Sequence, residues 1–163
     1  MMTASAASGF DALCRNDGVP GIAFNHFTDV DVVPCDLRGF EASMVSERFG
    51  PLTLNKVTTA PVVIRRSEKH LSKLGGGRFH LLHAVDGDFT FTQSGRNITV
   101  REGDFILSDV SLPSTVSFEH PLTAIIVTMP GDCLRRHIPY PEHIAGLHIS
   151  GQDGLGQMAS FMI

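Results

Sequence analysis

The chain has 163 residues, a formal net charge of −4, 42% hydrophobic and 18% charged residues. That is the composition of one folded domain able to bury its own core. Its densest positive spots are Arg65-Arg66 and Arg135-Arg136, too few cations to neutralise a run of phosphates, so this segment is not expected to bind DNA by itself. No apolar run approaches bilayer-spanning length, and MMTASAASGF has neither the positive nor the apolar region of a signal peptide. Cys14, Cys35 and Cys133 are an odd number in no CxxC spacing. They read as idle thiols of a cytoplasmic protein with no membrane partner.

Residues 1–20 read as an N-terminal arm. A small polar tail leads into a short helix, opened by Ser8 with Asp11, carrying Phe10 and Leu13 and stopped by Gly18. Residues 21–38 show no clear period, and Phe24, Phe27, Val30 and Val32 can pack onto a barrel end. Strands are predicted over 39–47, 52–58 and 62–66, punctuated by Gly50-Pro51 and Ala60-Pro61. A loop over 68–77 precedes the most apolar strand, 78–86.

The clearest signal is the hairpin 89–101. Phe89 and Phe91 alternate with Thr90 and Thr92, and Ile98 and Val100 alternate with Thr99 and Arg101. This period of two marks a half-buried antiparallel ribbon, turned at Ser94-Gly95 because glycine accepts positive φ without steric cost. A second tight turn, Glu102-Gly103-Asp104, leads into strands 105–108, 114–119 and 122–129, separated by Leu112-Pro113 and His120-Pro121. Short strands at this spacing predict a mainly β chain closed into a jelly-roll barrel over 21–130. Residues 131–163 change texture. One or two helical turns over 131–137 are followed by Pro139-Tyr140-Pro141. A final helix after Ser150 and Asp153 carries Leu155, Met158, Ala159 and Met162 at helical spacing. That apolar stripe needs a second helix or a second subunit to cover it.

The run from Arg78 to Phe118 resembles the cupin-type effector domain of AraC-family transcriptional regulators. Gly87, Gly95-Arg96 and Gly103-Asp104 fall where that family has its strand glycine, its "GR" hairpin and its "PGD" turn, with Glu102 in place of the proline. Ile64-Arg65-Arg66 resembles the strand ending in arginine of the AraC-binding-like subgroup, and Met129-Pro130 followed by Leu134 resembles its entry into a leucine helix. The resemblance covers about 39–137. It implies a small-molecule-sensing, dimerising half of a regulator, whose DNA contacts are made through a C-terminal helix-turn-helix region absent from this sequence. A homodimer through Leu155, Met158 and Met162 is the implied assembly. A free-standing cupin enzyme and a carbohydrate-binding module are the competing readings; the second usually displays exposed aromatics, and here Tyr140 is the one Tyr and there is no Trp.

Cupin enzymes hold a metal through an HxH pair, a Glu and a later His. The resemblance places Ser72-Lys73-Leu74-Gly75-Gly76, His80 and Ser114 at those positions, and one imidazole does not hold a divalent ion. GxSxG, HExxH and P-loop patterns do not occur. No catalytic residue, cofactor or metal is therefore expected. His137, His143 and His148 match no ligand spacing and read as surface histidines. His80 and His83 differ in parity and face opposite sides of one strand. The resemblance turns His80 inward, as a ligand contact or as a core histidine satisfied by a carbonyl. Leu82 shares its parity.

Arg66 lies where the arabinose-responsive member uses an arginine on its ligand, and a guanidinium can fork onto a carboxylate or vicinal hydroxyls. Ser114 and Val116 replace a His and a Tyr of that member, which argues against arabinose. Thr123, Ile125 and Val127 are predicted to share the inward face of the last strand. Arg66, His80, Leu82, Ser114, Val116, Thr123 and Ile125 are thus the expected ligand contacts. Such walls suit an aromatic or otherwise mostly apolar small molecule with one anionic or polar end.

Overall fold

The computed structural model describes residues 30–38, 40–71 and 77–162. The expected N-terminal arm and helix over 1–20 lie outside the described residues. Among the described residues eleven strands form two antiparallel sheets. In the first the order is β1 (Asp31–Pro34), β4 (Val62–Arg66), β9 (Ser114–Phe118), β6 (Phe89–Gln93) and β7 (Arg96–Val100). In the second it is β11 (His148–Ile149), β8 (Phe105–Asp109), β5 (Arg78–Asp86), β10 (Leu122–Pro130), β3 (Leu52–Thr59) and β2 (Ala42–Phe49). The mainly β, cupin-like reading holds. β1 and β11 escaped the sequence reading, and the expected loop over 68–77 opens with one helical turn, α1 (Glu68–Leu71). After the barrel come α2 (Gly131–Arg135), a 3-10 turn (Pro141–Ile144) and α3 (Gly154–Met162).

The central hairpin forms as its alternation dictates. Phe89 pairs with Val100 and Phe91 with Ile98. At its turn Ser94 and Gly95 have φ of 52° and 75°, the two successive positive values that a tight hairpin turn matched to strand twist requires. The inner faces of the sheets meet in one core that includes Val57, Leu82, Ala84, Ile106 and Ala124 from the second sheet and Val62, Phe89, Phe91, Val100 and Phe118 from the first.

The β8–β5–β10 part of the second sheet is buried on its other face as well, whereas β2 and β3 expose Val45, Lys56 and Thr58 there. Phe79 and His83 of β5, Phe105 and Leu107 of β8 and Ile125 of β10 are all buried, and they share the parity opposite to the cavity-facing residues Leu82 and Ala124. The segment after the barrel returns to this sheet. Gly146 N–H donates to the Leu107 carbonyl at 2.7 Å, Leu107 N–H donates to the Leu147 carbonyl at 3.1 Å, and β11 extends the sheet beyond β8.

One side chain ties the two sheets together at one end. Buried Gln93, the last residue of β6, donates from Nε2 to the Asp109 carbonyl at 2.9 Å and accepts from Asp109 N–H at 3.0 Å. Its amide thus acts as one more backbone rung between β6 and β8. Replacing it by leucine leaves a buried N–H and a buried carbonyl without partners, at about 1–3 kcal/mol each. Gln93→Leu is expected to lower unfolding stability by about 2–4 kcal/mol in denaturant titration; a loss below about 0.5 kcal/mol, the size of an ordinary surface change, would contradict the bridge.

Candidate functional site

A cavity of about 80 Å³ lies between the sheets. It is small beside the about 300–1,000 Å³ typical of ligand pockets, so it suits a compact molecule. Its first wall comes from Ile64 and Arg66 of β4, Phe89 and Phe91 of β6, and Ser114, Val116 and Phe118 of β9. Its second wall comes from Val57 and Thr59 of β3, His80 and Leu82 of β5, Ser108 of β8, and Leu122, Ala124 and Ile126 of β10, with Val30 beside them.

Strand register sorts these residues by polarity. Arg66 is paired with Ser114 and His80 with Ser108, and Arg66 Nη1 lies 3.5 Å from the carbonyl of Val110, just beyond β8. Both pairs therefore sit at the end that Gln93 closes. Phe118 and Leu122 lie toward the opposite end, where Phe118 is paired with Val62 and Leu122 with Thr59. The result is a cavity with a polar end carrying a guanidinium, an imidazole and two hydroxyls, and an end lined mainly by aromatic and aliphatic groups, where the Thr59 hydroxyl donates to the Ala60 carbonyl.

Arg66 and His80 are 6% and 7% exposed. Burial is the main cause that holds the His80 imidazole down at about 3, and the positive charges of Arg66 and Arg78 act in the same direction. His80 is therefore neutral at pH 7, able to donate from one ring nitrogen and accept at the other. The same positive field opposes a divalent cation. With a hydroxyl at Ser114 and one imidazole at His80, the residues present do not fit a cupin metal centre. Among the described residues no three His, Cys, Asp or Glu side chains converge to hold a metal ion.

Of the expected contacts, Arg66, His80, Leu82, Ser114 and Val116 are brought together around this cavity. Thr123 and Ile125 are not. Leu122, Ala124 and Ile126 carry the inward face of β10, whereas Thr123 Oγ1 lies 3.2 Å from Thr58 Oγ1 on the exposed side and Ile125 is buried opposite His83. Val127 follows them outward. The physical reason is that the middle of β10 lies where the second sheet is covered on both faces, so it is apolar at both parities and its alternation does not say which face looks inward. Phe89, Phe91, Phe118 and Ser108 were not singled out from sequence as contacts, although the alternation of the hairpin already turned both of its phenylalanines inward.

His148 is exposed as expected, yet it has a specific partner. Its Nε2 lies 2.8 Å from Oδ2 of buried Asp104. Burial works to raise the Asp104 carboxyl, but hydrogen bonds from Gly151 N–H, His148 and Arg101 N–H outweigh it, and the group sits below the ordinary carboxylate range. Among the other two, His143 stacks on exposed Tyr140 with ring centroids 5.5 Å apart.

The chain matches the AraC-binding-like domain family over residues 23–161. It belongs to that family. The fold of this AraC-binding-like domain is similar to that of the AraC-like transcriptional activator CuxR, with a TM-score of 0.72 at 20% identity, over 82% of this chain and 50% of that one. The chain thus spans half the length of the activator. More distant neighbours include the Clostridium difficile EutQ protein, at 14% identity and a TM-score of 0.45 over 58% of this chain and 71% of that one. Another is a cupin domain of an XRE-family transcriptional regulator from Enterobacter cloacae, at 12% identity and 0.43 over 53% of this chain and 95% of that one. No curated protein matches the chain.

Burial of a neutral imidazole has a pH consequence. Below about the ordinary histidine value of 6.5, the unfolded chain takes up a proton that folded His80 refuses until about pH 3, so stability falls as pH falls. Between pH 7 and pH 5 this one group costs about 2 kcal/mol. Denaturant titrations at both pH values should show His80→Gln losing less stability than the parent, by about that amount. Equal losses in the two proteins would show that His80 titrates normally.

Proposed function

We propose that this AraC-binding-like domain is the small-molecule-sensing and dimerising part of an AraC-type transcription regulator. In this reading it performs no chemistry, and it acts on DNA through a helix-turn-helix domain outside this sequence. The observation that carries the reading is the cavity itself: apolar walls with a few polar groups gathered at one end. That is the arrangement that orients a small molecule rather than one that turns it over. Among the described residues no helix is long and apolar enough to cross a membrane.

The effector that suits these walls is compact and mostly apolar, with one anionic or polar end. Its polar end would meet Arg66, Ser114 and the neutral His80, and its body would lie against Leu82, Val116, Phe91 and Phe118. The lack of aromatic hydroxyls and carboxylates among the described lining residues makes a sugar a poor fit, since each sugar hydroxyl needs a polar partner when buried. An effector of this kind would act by favouring one of two arrangements of the barrel and its appended segments.

Dimerisation is proposed through α3, where Leu155, Met158 and Met162, joined by Phe161, stand largely exposed. In sedimentation the chain is expected to dimerise and Met158→Asp to shift it toward monomer; a strict monomer at high concentration counts against this contact. Thermal-shift titration with aromatic acids, amines and sugars tests the cavity. Aromatic acids are expected to raise Tm, and Arg66→Gln to weaken their binding by about 10- to 100-fold, the worth of a charged hydrogen bond. A response to sugars alone would overturn the assignment.

A further inference from the structure

Beyond the cavity, the buried Asp104 carboxylate accepts three hydrogen bonds. Its Oδ1 accepts from Gly151 N–H at 2.8 Å, and its Oδ2 accepts from His148 Nε2 at 2.8 Å and from Arg101 N–H at 3.2 Å. Asp104 thereby grips both ends of the segment 148–151, which leads after two residues into α3. Gln152 adds a bond from Nε2 to the Glu102 carbonyl at 3.2 Å. The approach is close enough to demand glycine: a Cβ on Gly151 would lie 1.8 Å from the Gly103 carbonyl oxygen. Gly156, in the first turn of α3, is held in the same way, since its Cβ would lie 1.9 Å from the Ser150 carbonyl oxygen. These two glycines thus mark where the connector and α3 press against other backbone.

The cavity wall runs directly into this clasp. Leu82 lines the cavity on β5 and is paired with Ile106 on β8, which is paired with His148 on β11. Two residues beyond Leu82, Ala84 donates to the Asp104 carbonyl at 3.1 Å, and its own carbonyl accepts from Gly103 N–H at 2.8 Å. His83, between them, places Nδ1 3.2 Å from the Asp104 carbonyl and stacks on Phe105 with centroids 4.2 Å apart. A displacement of the β5 wall therefore moves the turn that carries the carboxylate and the strand that carries β11. The first wall reaches the clasp only through β7 and the Arg101 N–H that follows it, and Ile64, on β4, is separated from β7 by β9 and β6.

We propose that Asp104 is a positioning residue that clasps the connector of α3 to the barrel, and that the Leu82 wall of the cavity sets how firmly the clasp closes. In function this makes the β5 wall, rather than the cavity as a whole, the route from ligand to dimer helix. That purpose rests on the sensing reading above, but the coupling itself is a property of the ligand-free chain. A ligand that shifts β5 would bias α3 between docked and released states by its differential affinity for the two.

Hydrogen exchange of the ligand-free full chain tests it. Asp104→Asn keeps the shape but removes the charge and one acceptor. It is expected to speed exchange of amides 148–157 about fivefold or more, within the range of measured couplings, while the hairpin 89–100 keeps its protection. His148→Ala, at a partly exposed side chain, should give the same pattern if the Asn variant folds poorly. Leu82→Ala is then compared with Ile64→Ala, which removes as many carbons from the opposite wall. Faster exchange at 148–157 in Leu82→Ala than in Ile64→Ala supports the coupling. Unchanged exchange at 148–157 in the clasp variants, or equal effects of the two wall variants, overturns it. Should the exchange pattern hold while no small molecule raises Tm, the sensing reading falls and the clasp stands.

Discussion

A guanidinium and an imidazole are enclosed in a space whose other surfaces are largely hydrocarbon, and the organisation of the barrel follows from keeping them there. Removing a charge from water is tolerated only where other polar groups meet it. The structure concentrates those groups, Ser108, Ser114, the Val110 carbonyl and the Gln93–Asp109 bridge, at one end of the two sheets. The opposite end is given over to phenylalanine and leucine. One consequence is that His80 is kept neutral. Another is that the site repels cations, which separates this cavity from the metal-holding form of the same fold. Polarity along the strands, rather than any single residue, gives the space two unlike ends.

The second sheet carries a double duty that the first does not. Its inner face forms a wall of the cavity, and around β8, β5 and β10 its outer face is buried too, with Phe79, His83, Phe105, Leu107 and Ile125 covered. A sheet packed on both faces is stiff, because a close-packed interior deforms by switching between arrangements rather than by yielding smoothly. β5 sits between β8 and β10 in the middle of that sheet, in contact with the cavity on one side and with the Asp104 turn at its end. The α3 helix, with exposed Leu155, Met158, Phe161 and Met162, hangs from the edge of the same sheet by a strand of two residues and one carboxylate.

Most of the barrel was legible in the sequence because its signals are local. Alternation over 89–101, glycines at positive φ and prolines between strands are properties of short windows, and each reports a backbone requirement directly. The pocket was legible where parity was unambiguous: His80 and Leu82 on β5, Arg66 at the end of β4, Ser114 and Val116 on β9. It failed on β10, where Leu122, Ala124 and Ile126 compete with Ile125 and Val127, and the choice of face depends on what covers the sheet from outside. β11 is two residues long and carries no period at all. The Asp104–His148 contact joins residues 44 apart, and nothing in the spacing of either announces it. Gly154 and Gly156 read from sequence only as weakening the final helix; the backbone that presses on Gly156, and on Gly151 before the helix, is seen only in the structure.

The central claim is that the space between the sheets receives a ligand oriented by its polar end. Methyl-resolved NMR of the chain titrated with an aromatic carboxylate tests this most directly. The account predicts saturable shifts of the methyls of Leu82, Ile64, Val116 and Ile126, with Ile125, one residue away but on the other face, unmoved. Shifts confined to the outer face, or none on the cavity methyls at millimolar ligand with every class of small molecule, would contradict it.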